Sequence, residues 1–101
     1  MTFKFDPELI KMIQKTGKRN IVVEIASSDH SDFEVTELYI HLANEKNADY
    51  LINEKHFHLK EADDGVRVLL PNYRLEYNEE VIFYVKHFLF LKVIASQGIR
   101  F

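Results

Sequence analysis

Apolar positions along the chain fall into one stretch of helical spacing followed by a series of β-like runs. Leu9, Ile10, Met12 and Ile13 form a stripe, and Lys11, Gln14 and Lys15 take the wet side, which predicts a helix ending near Thr16. Asp6 is placed to cap it, Pro7 suits its first position, and Phe5 and Ile10 have the spacing of a hydrophobic staple. Gly17 can take the left-handed conformation that closes it. Asn20 to Ala26 is β-branched and mostly apolar, which predicts a central strand ending in the polar run Ser27-Ser28-Asp29-His30-Ser31-Asp32, read as a loop. Phe33 to Leu42 predicts a second strand, with Leu38, Ile40 and Leu42 on one face and Tyr39 and His41 on the other.

After a polar, turn-like stretch from Asn44 to Asp49, Tyr50-Leu51-Ile52 reads as a short strand or edge. Lys55 to Lys60 alternates, placing Phe57 and Leu59 inward and His56, His58 and Lys60 on the opposite face. Ala62-Asp63-Asp64-Gly65 is a hairpin signal that joins this strand to Val66–Leu70, which Pro71 ends. Asn72 to Glu80 looks irregular, and Val81–Lys86 and Phe88–Ser96 are expected as the last two strands. The expected fold class is α+β, mainly β: a single domain over residues 1–101, with an N-terminal helix followed by about six mostly antiparallel strands.

Composition agrees with one packed core, since 47% of the 101 residues are hydrophobic and 29% charged. Eight Phe and five Tyr make that core aromatic-rich. The net charge of −3 gives no electrostatic basis for nucleic-acid binding. The longest apolar stretch, Val81 to Ala95, is interrupted by Lys86, His87 and Lys92, so no membrane partner is expected. Met1 to Ile10 has no apolar h-region, and a cytoplasmic location is the expectation. The absence of cysteine excludes disulfides, zinc-thiolate sites and thiol catalysis.

Candidate chemistry is sparse. His56 and His58 on alternate strand positions have the spacing to share a metal ion, with His41 as a third ligand and Glu45 or Glu54 as a carboxylate. The competing reading is a half-exposed polar strand face, and it is the favoured one. The loop Ser27 to Asp32 gathers hydroxyls and carboxylates around His30, but contiguous Ser, Asp and His are ordinary turn formers, whereas catalytic triads converge from separated segments. Tyr73, Tyr77 and Tyr84 with Arg67 and Arg74 suggest stacking on a base, against which stand Glu76, Glu79 and Glu80. His87-Phe88-Leu89-Phe90-Leu91 is apolar on both faces, which fits a central buried strand first and a subunit interface second.

The order of these elements carries a resemblance. A capped N-terminal helix leads to a strand ending at Ser27-Ser28, then a hairpin strand at Gly65-Val66-Arg67-Val68. Glu79-Glu80-Val81 then leads into Lys86-His87-Phe88-Leu89-Phe90-Leu91-Lys92-Val93 and a terminal Gln97-Gly98-Ile99. This resembles the HesB/IscA-type iron–sulfur-biosynthesis fold, in particular the small CC/Se-motif proteins, through the Lys-x-Phe-x-Phe-x-Lys block and the closing Gly-Ile. The resemblance implies a β-rich sandwich and places the family's thiols in the loop after the first strand, at Ser27, Ser28 and the neighbouring His30. No cysteine stands there or near the C-terminus, and a Ser hydroxyl does not replace a thiolate for a cluster or a soft metal. The resulting expectation is a non-enzymatic domain without a cofactor, acting through a protein partner or self-association, with His-based metal binding and a small enzyme as the alternatives.

Overall fold

A computed structural model describes the backbone of residues 1–30 and 33–101 and the side chains of residues 1–26 and 37–101. The chain opens with strand β1 (Thr2–Phe5), followed by helix α1 (Pro7–Thr16), strands β2 (Asn20–His30) and β3 (Phe33–Ala43), and helix α2 (Glu45–Glu54). Strand β4 (His58–Glu61), a 3₁₀ turn (Asp63–Gly65), β5 (Arg67–Leu70), β6 (Glu76–Phe88) and β7 (Leu91–Arg100) complete it. All seven strands join one sheet in the order β1-β6-β7-β3-β2-β5-β4, curled into a half-barrel.

This corrects the expected fold class. The domain is mainly β, but it is one mixed sheet with a helix on each face and not a sandwich, and its first element is a strand. Two pairings, β1 with β6 and β2 with β5, are parallel. Thr-Phe-Lys-Phe is too short to stand out as a strand by periodicity, and it forms because β6 offers it a partner edge.

Helix α1 forms for the reasons legible in its sequence. Asp6 accepts a hydrogen bond from the Leu9 backbone N–H at 2.8 Å, Pro7 occupies the first turn, and Gly17 (φ 70) closes the helix by donating its N–H to the Ile13 carbonyl. Asp6 also ties the helix to the sheet. Its backbone N–H donates to the Phe83 carbonyl at 3.1 Å, and its second carboxylate oxygen accepts from the Val85 N–H at 3.3 Å. Leu9 and Ile13 are thereby set down on Ile21, Val23, Ile40, Val66, Val68, Leu70, Val81, Phe83 and Val85. Phe83 is fully buried, worth about 1.5–3 kcal/mol, and it stacks on Phe3 and Phe5 at 6.2 and 6.0 Å between centroids.

The opposite face of the sheet is covered by α2, where the turn and short strand expected over residues 44–52 are replaced by a helix. The Asn44 side chain accepts from the Asn47 N–H at 2.8 Å, and Ala48, Leu51 and Ile52 present the i, i+3, i+4 stripe that packs on Val22, Ala43 and Leu69. Tyr50 between them is exposed, and its β propensity is what makes the segment look like a strand.

The β4–β5 hairpin turns over the anticipated Asp63-Asp64-Gly65. The last two strands are longer than expected and join through a tight turn at Leu89-Phe90. Their register shifts by a bulge between Tyr77 and Ile82, and Gly98 opposes it with φ 101. A Cβ at Gly98 would lie 2.7 Å from the Glu80 carbonyl oxygen, so only glycine fits that crossing.

Replacing Asp6 by Ala removes a cap and leaves the Leu9 and Val85 N–H groups without their side-chain acceptor. The expected outcome is a loss of about 1–2 kcal/mol, read as a lower urea midpoint at unchanged m value, with a smaller loss for Asp6→Asn. An unchanged midpoint in Asp6→Ala contradicts the tethering role.

Candidate functional site

The three histidines singled out for a metal do not converge. His41 lies on β3 opposite Val22, on the α2 face of the sheet. His58 lies on β4 opposite Leu70, on the α1 face, with β5 and β2 standing between β4 and β3. His56 is outside the strand at φ 59, so the alternation that would align it with His58 does not apply. Both ring nitrogens of His41 have neighbours: Nε2 forms a short hydrogen bond with the Glu24 carboxylate, and Nδ1 is 3.3 Å from the Leu42 carbonyl. Its ring stacks on Tyr39 at 4.9 Å. Among the described residues, no three His, Asp or Glu side chains are grouped to hold a metal.

Ser27, Ser28 and His30 belong to β2, where they pair with Thr36, Val35 and Phe33, which corrects the expected loop: the hairpin ladder continues over Ser27 to His30. Their side chains, and Ser31 and Asp32 entirely, lie outside the described residues. Glu45, the suggested carboxylate ligand, is engaged elsewhere. It accepts from Arg19 at 2.6 Å and from Arg67 at 2.7 Å, while the buried Asn20 reaches it at 3.5 Å and donates to the Ala43 carbonyl at 3.1 Å. The hydrogen bond from Arg19, and then the charges of Arg19 and Arg67, hold the Glu45 carboxyl below its ordinary value, and the same bond raises Arg19. This cluster pins the start of α2 to β2 and β5. Glu54 ends α2.

Two features stand out: an apolar block that the sequence marks without placing it at a hairpin tip, and a groove that the sequence does not mark at all. The first is the β6–β7 hairpin tip. Phe88, Leu89, Phe90 and Leu91 are 62, 85, 102 and 64% exposed, which reverses the expectation of a buried central strand. Their double-sided apolarity is the sequence signal, and it indicates only that both faces are apolar, not that either is covered. Leu89 holds φ 55, a left-handed value usually left to Gly or Asn, and Lys86 and Lys92 stand behind the tip.

The second feature is a groove of about 780 Å³ where β3 and β7 part. These neighbours share a single residue pair, Ile40 with Ile94, whereas β2–β3 and β6–β7 are paired over most of their length. Leu38, Leu42, Ile94 and Met12 contribute apolar wall, and Lys18, Lys86 and Lys92 line it with one acidic residue, Glu37.

Comparison with protein-family models, with curated proteins and with solved structures finds no match. No helix among the described residues is long and apolar enough to cross a membrane.

The Glu45 cluster sets a pH dependence. A carboxyl whose folded value is lowered contributes stability above its ordinary value of 4.5, and that contribution is lost as pH falls through the lowered value. Glu45→Gln is therefore expected to melt below the wild type at neutral pH, with the gap narrowing as pH drops below about 4.5 and closing in stronger acid. Equal melting temperatures at neutral pH count against the cluster.

Proposed function

We propose that this chain is a non-enzymatic, cytoplasmic interaction domain that associates with a second copy of itself through the β6–β7 hairpin. The observation that carries the reading is the run of four exposed apolar residues at the tip. Burying such a side chain gains about 1.5–3 kcal/mol, so an uncovered run of four is a strong drive toward association. Leu89 adds to this, because a left-handed leucine is strained by about 1–2 kcal/mol and Asn or Gly would relieve that strain while giving up the apolar surface.

A second copy suits the tip in charge as well as in apolarity. The hairpin carries Lys86 behind its apolar end, beside a Lys92 already paired with Glu8 at 3.7 Å, and with 16 acidic against 13 basic residues a second copy is a net-acidic partner for it. Val93 and Tyr39 are also exposed, on the same sheet face as Phe88 and Leu91, which extends the apolar strip along the sheet. A two-fold axis can then pair identical strips. The resemblance to HesB/IscA-type proteins enters this reading as kinship alone. Without thiolates, cluster chemistry is not part of it.

The test is the mass in solution of the wild type and of Leu89→Asn/Phe90→Ser, in which Asn accepts the left-handed backbone and the fold is retained. A dimer that becomes a monomer, with a melting temperature equal or higher, is the expected result. A wild type that stays monomeric up to millimolar concentration, or a variant that remains dimeric, overturns the reading.

A further inference from the structure

We infer that the β6–β7 hairpin tip inserts into the surface of an anionic lipid bilayer, with Phe88, Leu89, Phe90 and Leu91 at the acyl boundary and Lys86 and Lys92 at the level of the phosphates. Three observations carry this. The first is that apolarity surrounds the tip. Phe88 and Leu91 are cross-strand partners and share one sheet face, whereas Leu89 and Phe90 form the turn and are 85 and 102% exposed. A bilayer is fluid, so it covers a projecting turn from every side without a complementary shape. The second is the backbone of that turn. Leu89 holds φ 55, where Asn or Gly is the usual occupant, so the most projecting positions of the hairpin carry apolar side chains in spite of the strain.

The third is a basic collar. Lys92, opposite His87, stands one rank behind the Phe88–Leu91 pair, and Lys86, opposite Val93, stands two ranks behind it. Strand alternation sends Lys86 and Lys92 to opposite faces of the hairpin, so they flank its neck on both sides, as head groups around an inserted tip require. They lie about 6–12 Å behind the turn, which fits the depth of about 5–10 Å that interfacial segments reach, and their flexible stems let the amines rise to the phosphates. Lys86 has no carboxylate within ion-pair distance among the described residues. Glu8, beside the neck, is met by His87 at 2.8 Å and by Lys92 at 3.7 Å, so its charge is compensated. The charges that keep Val81 to Ala95 from spanning a bilayer thus suit the shallower contact.

Insertion uses the residues of self-association, so the two coverings exclude each other, and different measurements read them. The full chain, diluted until its mass is that of a monomer, is sedimented with vesicles of equal parts phosphatidylserine and phosphatidylcholine, and with vesicles of phosphatidylcholine alone. Binding to the mixed vesicles is expected, weaker by about fivefold or more on the neutral ones, lost in Leu89→Asn/Phe90→Ser and weakened about fivefold by Lys86→Gln. The chain has no Trp, so Phe90→Trp reports on the tip alone. Its emission should move to the blue on binding, and that of Tyr50→Trp, exposed on α2, should not. The inference is overturned by absence of binding to the mixed vesicles, by equal binding to the neutral ones or by the tip variant, or by a blue shift at position 50 without one at position 90. A wild type that is monomeric at every concentration and binds vesicles overturns self-association alone. One that dimerises when concentrated but binds no vesicle when dilute overturns insertion alone.

Discussion

The architecture depends on how one carboxylate joins the helix to the strand beneath it. Asp6 spends its backbone N–H on Phe83, one oxygen on Leu9 and the other on Val85. A capping residue ordinarily fixes only the start of its own helix. Here the same group also fixes the position of that start over β6, and the small distance between the two tasks leaves α1 little freedom to slide. Leu9 and Ile13 then close the face formed by β2, β3, β5 and β6, and Phe83 receives the two aromatic rings of β1. The helix is thereby held over β6, with Met12 and Thr16 reaching the open seam between β3 and β7.

The elements that could be read from the sequence are those whose signals are local. Asp6-Pro7, the stripe over Leu9 to Ile13 and Gly17 state a helix completely, and Asp64-Gly65 states a turn, because capping and backbone handedness act within a few residues. Helix α2 was equally local, since Asn44 and the spacing of Ala48, Leu51 and Ile52 are present, but the aromatic and β-branched character of Tyr50-Leu51-Ile52 masked it. Strand β1 and the two parallel pairings were not legible in the same way. They are decided by which distant edge is available, and a four-residue run carries no information about that.

The same distinction governs the candidate sites. His56 and His58 are neighbours in sequence, and a strand through both would have aligned them, but the left-handed backbone at His56 places it before the strand starts. His41 is directed to the other face by register, which no single-strand pattern specifies. The block from His87 to Leu91 was correctly apolar on both sides, yet a central strand and a bare hairpin tip share that composition. What separates them is the turn at Leu89-Phe90, and leucine at a left-handed position is a poor advertisement for a turn. The groove was invisible for a different reason, because it exists only as the failure of two adjacent strands to stay paired.

The pairing of β1 with β6 also sets the order in which the molecule can be completed. β2 and β3 are joined end to end and can pair as soon as both have been synthesised, as can β6 and β7. The first helix has no such neighbour: its anchor points, Phe83 and Val85, lie 77 to 79 residues downstream of Asp6. During synthesis the amphipathic segment of α1 therefore waits with its apolar stripe uncovered until β6 has emerged, and closure of the largest core is a long-range event. The residue that fixes the finished architecture is thus made long before the partners it must find.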